Sequence, residues 1–545
     1  MFDTHWRGRF RRKLGGARRD LNRRVALAIP AMLLVGALVA PSWPHRQAGL
    51  FVSRQSAQNA TTYLVLFVLD GARPDYFSVP GTPNLQAMIH RGTQFSNAWA
   101  GILESETPSG HASIGTGSEP RDDGVPSFSW ATSDNIPVSL FNPDVIRHGA
   151  LENLLAQAHV PSIASLVHKA DPQAKVVALS GHKYYAADAM GGPNADIIMY
   201  YAGTSNGQFV PTFIPGHGPP PSVLASPALV ARSTNLPLGV EDHLTIKLAV
   251  RSFKTIHQQV TLINVPEFDW PVGHVDGGDR NPAAVRTLMQ SFDRDLGMLE
   301  KAYRKAGVLD RTVFVFTADH GMAPIYYRVP KESIERAVLA AGTSIVADTF
   351  HTGDFIWVRN KSKAPAAAWR VAALRSPYIQ SVYYKKWTPK IGFSYVRSAG
   401  HLPLSVSGVE QANQYLLRSF GGPNGPDVAV LYAEDAASEP GGQANWLGDH
   451  GGSAWESEHI PLVFSGPGFR QGYVSQQPAR LIDIAPTALW ALNIPAAGMH
   501  GVALVDSRTS SPQWAQTREN RQGAALRPIV SALQAESRLE LAAHR

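Results

Sequence analysis

Four short segments combine carboxylates and imidazoles in a way that could bind divalent metals. Asp70 ends YLVLFVLDG, Asp269 and His274 lie in EFDWPVGH, Asp319 and His320 lie in TADHG, and His450 lies in GDHGG. Six ligands are too many for one tetrahedral catalytic site with an open position, but they suffice for two metals. Two ions about 3.5–4 Å apart can activate a nucleophile and stabilise a leaving oxygen. The pattern therefore indicates phosphoryl transfer.

The donor atoms also restrict the metal. The chain has no cysteine, which excludes disulfides, thiolate ligands and a cysteine nucleophile. Carboxylate and imidazole donors suit zinc or a similar divalent ion. We therefore expect two Zn²⁺ ions, with other divalent ions as the alternative.

A hydroxyl nucleophile is available in the segment LESETPSGHASIGTG, residues 103–117. Its candidate nucleophiles are Ser105, Thr107, Ser109 and Ser113, and the nearby groups that could act as bases are Glu104, Glu106 and His111. Pro108 and Ser109 fit a helix that begins just after Thr107, and the amides of such a helix could receive a phosphoryl oxygen.

These segments follow apolar, β-rich runs, which lie at 63–71, 175–182, 259–269, 312–321, 427–435 and 460–468. Runs that are apolar on both faces indicate a buried, largely parallel sheet covered by helices. Segment 283–307 has apolar residues at three- and four-residue spacing, which predicts an amphipathic helix before the next strand. The expected fold class is α/β, with a doubly wound, mostly parallel central sheet flanked by helices. Ligands collect beyond the carboxyl ends of such strands.

Two segments interrupt this pattern. Residues 190–240, approximately, are rich in Gly, Pro and Ser, which predicts a long excursion over the sheet face. Residues 322–430, approximately, contain strand-like and helix-like stretches and predict a smaller inserted α+β subdomain. The catalytic domain is expected to span 61–506. A polar C-terminal tail follows at 507–545, and its last helical stretch could pack or fray.

The excess positive charge lies at the N-terminus. Residues 1–24 hold nine basic and two acidic residues, which accounts for the net charge of +7, and the rest of the chain is balanced. A nucleic-acid-binding body is therefore not expected. Residues 25–40 are apolar and would span about 24 Å as a helix, less than the ~30 Å hydrocarbon core.

We interpret residues 1–24 as a basic cytoplasmic head and 25–41 as a signal-peptide core or short anchor, with cleavage left open. Residues 42–60 are interpreted as a polar linker. This arrangement predicts an exported protein, periplasmic or otherwise extracytoplasmic, and possible anchoring in a membrane.

Five segments, taken together, resemble the alkaline phosphatase superfamily. They are VLDGARPDYF, TPSGHASIGTG, FTADHGM, GDHGGSAWESEHIPLVFSGPG and LIDIAPTALWAL. Within the superfamily they look most like the type I phosphodiesterase and nucleotide pyrophosphatase branch and its threonine-nucleophile phosphomonoesterase relatives. The resemblance covers residues 60–506, approximately.

The resemblance implies a role for each candidate residue. Asp70, Asp319 and His320 would bind one zinc, which also binds Thr107, and Asp269, His274 and His450 would bind the other. Thr107 matches the nucleophile because the family places it four residues before a histidine, here His111, and ten before a glycine, here Gly117. Coordination to a dication lowers the pKa of the threonine hydroxyl.

The rival hydroxyls are weaker candidates. Ser105 lacks the proline and arginine of a sulfatase precursor turn. Ser109 and Ser113 are expected to cap or pack, and His111 is expected to pack or to lie behind the metal ligands.

Three positions depart from the family pattern. Asp269 and His274 are five residues apart where the family commonly has four, so Glu267 is an alternative ligand. Phe128 stands where diesterases carry an asparagine that holds a phosphoryl oxygen; either Ser127 or Ser129 substitutes as the donor, or the role is lost. At the two positions of the phosphomonoesterase Lys-x-Arg pair the chain has His182 and Tyr184, with Lys183 between them.

Without this pair, the cationic clamp that binds the doubly charged phosphate of a monoester is weakened, which favours diesters. The uncharged substituent of a diester could lie on aromatic surface such as Phe128, Trp130 or Tyr184. We therefore expect a dizinc hydrolase of phosphate esters, preferably phosphodiesters or nucleotide pyrophosphates, that forms a covalent phospho-threonine. The alternatives are a phosphomonoesterase, a phosphonate or sulfate ester hydrolase, and an inactive metal-retaining binding protein. The substrate would be a small-molecule phosphate ester, and the sequence does not indicate an oligomeric state.

Overall fold

The computed structural model describes residues 62–142, 145, 148–399, 404–439 and 446–544. The predicted head, apolar segment and linker, residues 1–60, lie outside the described residues. Within the described part, no helix is both long and apolar enough to cross a membrane.

Two main sheets are formed by strands of three to ten residues, and the strands in the middle of each sheet are almost entirely buried. In chain order the strands are β1 (Tyr63–Leu69), β2 (Gly92–Phe95), β3 (Val176–Leu179), β4 (Ile197–Gly203), β5 (Phe209–Phe213), β6 (Val260–Val265), β7 (Thr312–Thr317), β8 (Ile345–Phe350), β9 (Gly353–Val358), β10 (Ile379–Thr388), β11 (Gly392–Arg397), β12 (Val428–Tyr432), β13 (Leu462–Ser465) and β14 (Tyr473–Ser475).

The central sheet has nine strands in the order β14-β2-β13-β7-β1-β6-β3-β4-β5. Five neighbouring pairs are parallel, among them β1 with β7 and β1 with β6. The sheet is mixed, because β13 runs antiparallel to both neighbours and β5 runs antiparallel to β4. The predicted α/β class is confirmed, and the run at 460–468 supplies an antiparallel strand.

Helices of eight or more residues cover this sheet and the smaller one. They are α1 (Pro83–His90), α2 (Thr107–Thr116), α3 (Ala150–Ala158), α4 (Ile163–Ala170), α5 (Tyr184–Gly191), α6 (Val240–Ile256), α7 (Pro282–Lys305), α8 (Lys331–Ala340), α9 (Ala364–Ala372), α10 (Val409–Phe420), α11 (Ile484–Ala491) and α12 (Gln513–His544). The helix predicted at 283–307 is α7, and it buries the apolar residues of the predicted stripe.

The run at 427–435 belongs to a different sheet from the one predicted. It forms β12, the central strand of a five-stranded antiparallel sheet in the order β8-β9-β12-β10-β11. Helices α8 and α9 share an apolar cluster with this sheet. An apolar run alone cannot distinguish a strand of one sheet from a strand of another, because both are buried on two faces.

The excursion predicted over residues 190–240 is partly regular structure. Its first half forms the antiparallel pair β4 and β5, which extends the edge of the central sheet. The C-terminal tail packs as α12, whose apolar residues Leu526, Ile529 and Leu533 are buried.

Candidate active site

The first group of candidate ligands lies where two neighbouring parallel strands end. Asp70 directly follows β1, and Asp319 and His320 follow β7. The three side chains are fully buried, and their ligand atoms lie within 4.8 Å of one another. The amide of Gly71 donates to Asp319 Oδ1 at 3.1 Å, which ties the two strand ends together.

The second group is formed by Asp269, His274 and His450, whose ligand atoms also lie within 4.8 Å of one another. Asp269 follows β6, the other neighbour of β1. His320 and His450 stack with ring centroids 3.5 Å apart, so the two groups adjoin each other. The structure thus brings together all six residues predicted from the sequence.

The unusual spacing between Asp269 and His274 is absorbed by a wide turn. The amide of His274 donates to the carbonyl of Asp269 at 3.0 Å, a bond across five residues. The alternative ligand, Glu267, has another function. Its carboxylate accepts from Gly239 N at 2.9 Å and Asp242 N at 3.0 Å, at the start of α6. Glu267 is therefore a helix-capping group.

Thr107 is the first residue of α2, and all ten residues of this helix are buried. A side chain at Gly110 would lie 2.9 Å from the carbonyl oxygen of Asp319, so glycine lets the helix approach the first group of ligands. Ser109 Oγ bonds to backbone atoms of Glu104 and Glu106, which agrees with a capping role. Among the described atoms, the hydroxyls of Ser105 and Ser113 are buried without a hydrogen-bond partner.

His111 lies behind the candidate ligands. Its Nδ1 is 2.8 Å from the carbonyl of Thr107 and 3.2 Å from Asp319 Oδ2. Its Nε2 is 2.7 Å from Asn264 Nδ2, and the same amide nitrogen donates to Asp70 Oδ2 at 2.7 Å. Asn264 lies in β6 and was not predicted as a site residue. The histidine and the amide connect α2 to β6 and to the ends of β1 and β7.

Lys183 occupies the middle of the site. Its Nζ lies 2.8 Å from Asp70 Oδ1, 2.6 Å from Asp269 Oδ2 and 3.1 Å from Thr107 Oγ1. Lys183 directly precedes α5, which packs closely on α2, since a side chain at Gly115 would lie 2.4 Å from the carbonyl of Met190. The prediction that the cationic clamp is weakened does not agree with this geometry, because a lysine reaches the candidate nucleophile.

The electrostatics of the site follow from this burial. Burial would lower the pKa of Lys183, but Asp269 and Asp70 raise it well above its usual value. Burial would raise the pKa of Asp269, but Lys183 and His274 hold it well below its usual range. Burial opposes the charge on His320 as well, yet Asp319 and other carboxylates raise its pKa to about 9. Burial and the neighbouring His320 lower the pKa of His450 well below normal.

The residues present fit metal ions. Among the described buried atoms, Asp269 Oδ1, Asp319 Oδ2 and His320 Nε2 form no hydrogen bond of normal geometry. Such atoms are costly to bury unless something binds them. The first group has two carboxylates and one imidazole, and the second has one carboxylate and two imidazoles. Zinc accepts both donor sets.

The other residues predicted to contact substrate are held by different partners. His182 Nδ1 is 2.7 Å from Glu241 Oε1. Tyr184 Oη donates to the carbonyl of Leu140 at 3.1 Å. Neither bond is directed at Thr107.

Ser127 and Ser129 do not fit the predicted role of phosphoryl donors. Ser127 Oγ lies 3.0 Å from Glu106 Oε2, and Ser129 Oγ lies 3.3 Å from Ser139 Oγ. Phe128 stacks on Phe141 with ring centroids 4.4 Å apart.

An aromatic group surrounds Phe128. Tyr185 lies edge-on to Phe128 at 4.7 Å, and Tyr184 contacts both Tyr185 and Tyr200. Phe141 is 63% exposed, so this group presents an aromatic ring to solvent.

Residues 64–399 match the family model of type I phosphodiesterase / nucleotide pyrophosphatase. The chain belongs to this family. Its members are phosphoester hydrolases, which agrees with the activity expected from the sequence. No curated protein sequence matches the chain significantly.

Solved structures show that the family fold is shared with alkaline phosphatases. Alkaline phosphatase PafA is 17% identical, with a TM-score of 0.63 over 82% of this chain and 99% of PafA. Murine ectonucleotide pyrophosphatase / phosphodiesterase 5, solved as an inactive form with AMP, is 14% identical, with a TM-score of 0.57 over 82% of this chain and 100% of its own. The human protein of the same name is 16% identical, with a TM-score of 0.56 and the same coverage.

Glu106, His351 and Asp449 form a line of contacts beside the site, with His351 between the two carboxylates. The sequence named Glu106 only as a possible base and did not name Asp449, although both stand next to predicted residues. His351 lies in the turn between β8 and β9 of the five-stranded sheet, called the inserted sheet below, and nothing in the sequence pointed to it.

Proposed function

We propose that this protein is a metal-dependent phosphodiesterase or nucleotide pyrophosphatase in which Thr107 is the nucleophile. The observation that carries the proposal is the position of the Thr107 hydroxyl, at the start of a buried helix and 3.1 Å from Lys183 Nζ, which itself contacts one carboxylate from each of the two adjoining candidate ligand groups. The proposed metals are two zinc ions, one held by Asp70, Asp319 and His320 and the other by Asp269, His274 and His450. When bound, they would supply positive charge that favours an ionised threonine hydroxyl and a leaving oxygen.

The chain's own groups position the reaction. The N-terminal amides of α2 lie at the same end of the helix as Thr107 and can donate hydrogen bonds to a phosphoryl oxygen. Lys183, at 3.1 Å from Thr107 Oγ1, can pair with a phosphoryl oxygen near the nucleophile. Attack by Thr107 on phosphorus forms a phospho-threonine and breaks the bond to the leaving alcohol or phosphate, and water then cleaves the phospho-threonine.

The preference for diesters is supported by the family match and by the aromatic group around Phe128. A diester carries one organic substituent that remains on phosphorus, and the exposed ring of Phe141 offers a surface for it. The basic and apolar N-terminal segments support a proposal that the enzyme acts outside the cytoplasm.

Substitution of Thr107 tests the proposal directly. With zinc present, wild type is expected to hydrolyse bis(p-nitrophenyl) phosphate, and Thr107→Ala is expected to lose at least about 10³-fold in kcat. Ser113→Ala is the matched control, because it removes a buried hydroxyl from the same helix. The initial rate of nitrophenolate release measures both. Undiminished activity in Thr107→Ala would overturn the assignment of the nucleophile.

A phosphomonoesterase is the second candidate, and the position of Lys183 favours it. A buried ammonium group beside the nucleophile would reward the additional charge of a monoester. The ratio of kcat/KM for bis(p-nitrophenyl) phosphate to that for p-nitrophenyl phosphate decides between the two. Two bound metals without hydrolysis of either ester would instead indicate a binding protein.

A further inference from the structure

The inserted sheet contacts the candidate site through the turn between β8 and β9. This turn consists of His351 and Thr352. The amide of Thr352 donates to the carbonyl of His450 at 3.2 Å, and Gly452 N donates to Thr352 Oγ1 at 2.7 Å. A side chain at Gly452 would lie 2.1 Å from the carbonyl oxygen of Thr352. The turn therefore lies backbone to backbone against the segment that carries His450.

His351 lies between two carboxylates at this point. Its Nε2 is 2.5 Å from Glu106 Oε1, and its Nδ1 is 2.8 Å from Asp449 Oδ1. The histidine side chain is 16% exposed, and both carboxylate side chains are at most 1% exposed. Ionised carboxylates only accept hydrogen bonds, so both ring nitrogens act as donors. Hydrogen bonds between charged groups belong to the stronger class.

The two carboxylates belong to residues that are adjacent in the chain to proposed active-site residues. Glu106 is the residue before Thr107 and caps α2, and its second oxygen accepts from Phe128 N at 2.9 Å. Asp449 Oδ1 also accepts from the amide of His450 at 2.9 Å. A continuous set of contacts thus connects the start of the nucleophile helix, the inserted sheet and the segment of His450.

We propose that His351 is a positioning residue, which fixes Thr107 relative to His450 by joining Glu106 to Asp449. The inserted sheet is then an integral part of the active site. This inference rests on the proposed function, because that function gives Thr107 and His450 their roles. Loss of the two hydrogen bonds would let the two segments shift, and a displacement of about 1 Å can cost about 10²-fold in rate.

Hydrogen–deuterium exchange of the metal-free protein tests the structural part. His351→Ala is expected to speed amide exchange at least tenfold in peptides covering 104–110 and 448–453. His243→Ala is the matched control, because His243 Nδ1 lies 2.7 Å from Asp295 Oδ1 in a pair between α6 and α7. The control is expected to leave both peptides unchanged. Unchanged exchange in His351→Ala would overturn the proposal.

Kinetics of the zinc-loaded enzyme test the functional part. His351→Ala is expected to lower kcat about 100-fold while KM for bis(p-nitrophenyl) phosphate stays within about threefold. Added imidazole is expected to restore at least a tenth of the lost kcat in His351→Gly, which a general loss of stability would not allow. If the alanine variant does not fold, His351→Gln, which keeps one donor group, serves instead.

The possible failures are distinguishable. A wild-type protein that hydrolyses neither ester contradicts the proposed function, whereas the exchange result still decides the role of His351. An active wild type together with a variant that retains wild-type kcat contradicts the role of His351 and leaves the proposed function intact.

Discussion

Lys183 is the residue that most changes the interpretation of this site. Its ammonium group bridges one carboxylate from each ligand group, Asp70 and Asp269, and also reaches Thr107. A lysine is rarely buried without paired charges. Here the two carboxylates compensate its burial and keep it charged.

Substitution of Lys183 is expected to affect monoesters more than diesters. Lys183→Met removes a cation near the proposed nucleophile, and a monoester carries more negative charge than a diester. We expect kcat/KM to fall about 100-fold for p-nitrophenyl phosphate and about tenfold or less for bis(p-nitrophenyl) phosphate.

Lys175→Met is the control for this prediction, because Lys175 pairs with Asp196 at 2.7 Å on the protein surface. It is expected to leave both reactions unchanged. Equal losses for the two esters in Lys183→Met would show that the lysine does not respond to substrate charge.

The sequence was sufficient to predict which candidate ligands the fold brings together, but not the groups that support them. Asp70, Asp269 and Asp319 each come after an apolar run of the central sheet, so their place at one sheet edge was predictable from the chain alone. From the sequence, Lys183 is only the residue between the two positions of the family's Lys-x-Arg pair. The packing of α5 on α2 was needed to show that its side chain reaches the site. His351 was not predictable, because its partners are about 100 and 245 residues away in the chain.

At the scale of elements, the parallel strands explain why the ligands meet. β3, β6, β1 and β7 are consecutive and parallel, so their carboxyl ends share one edge. The inserted sheet contributes to this edge through one turn, although its strands are antiparallel. The sequence predicted a smaller subdomain at this place. Which apolar run belongs to which sheet could be determined only from the structure.

The inserted sheet contains a buried carboxyl whose ionisation should oppose folding. Asp354 lies in β9, is fully buried and accepts from Tyr432 Oη at 2.7 Å. Burial raises its pKa from 3.8 to about 7. The folded state therefore retains this proton at pH values where the unfolded chain has lost it. The resulting contribution to stability is present below pH 4, approximately, and is lost as the pH rises to about 7.

Asp354→Asn should remove this dependence. We expect the free energy of unfolding of the variant, relative to wild type, to increase between pH 5 and pH 8, by about 1.4 kcal/mol for each unit of the pKa difference that is titrated. Urea denaturation at the two pH values measures it. Asp310→Asn, at an exposed position, is the control and should show no such increase. A constant difference between Asp354→Asn and wild type would contradict the prediction.

At the scale of the whole molecule, α12 shows that the C-terminal tail belongs to the folded body. Glu540 in this helix accepts from Glu434 N at 2.8 Å, and Leu533 is 4% exposed. The polar composition of the tail left both packing and fraying open, since three to four apolar residues in every two turns are enough to form a buried stripe.

Two leucines of α12 allow a matched test of its packing. Leu533→Ala is expected to lower the free energy of unfolding by about 2–5 kcal/mol, because it creates a cavity. Leu539→Ala, at 52% exposure on the same helix, is expected to change it by less than about 0.5 kcal/mol. Thermal and urea denaturation measure both, and kcat should stay at the wild-type value. Equal effects would show that the helix does not hold its packed position in solution.

The central place of β1 has a consequence for how the chain acquires its structure. β1, the first described strand, pairs with residues from 260 onward on one side and from 312 onward on the other. The whole segment between β1 and β7 must therefore leave the ribosome before β1 has both neighbours, and contacts between such distant segments form slowly. Until then the chain carries an unpaired apolar strand, so chaperones that bind such strands should be most needed early in synthesis.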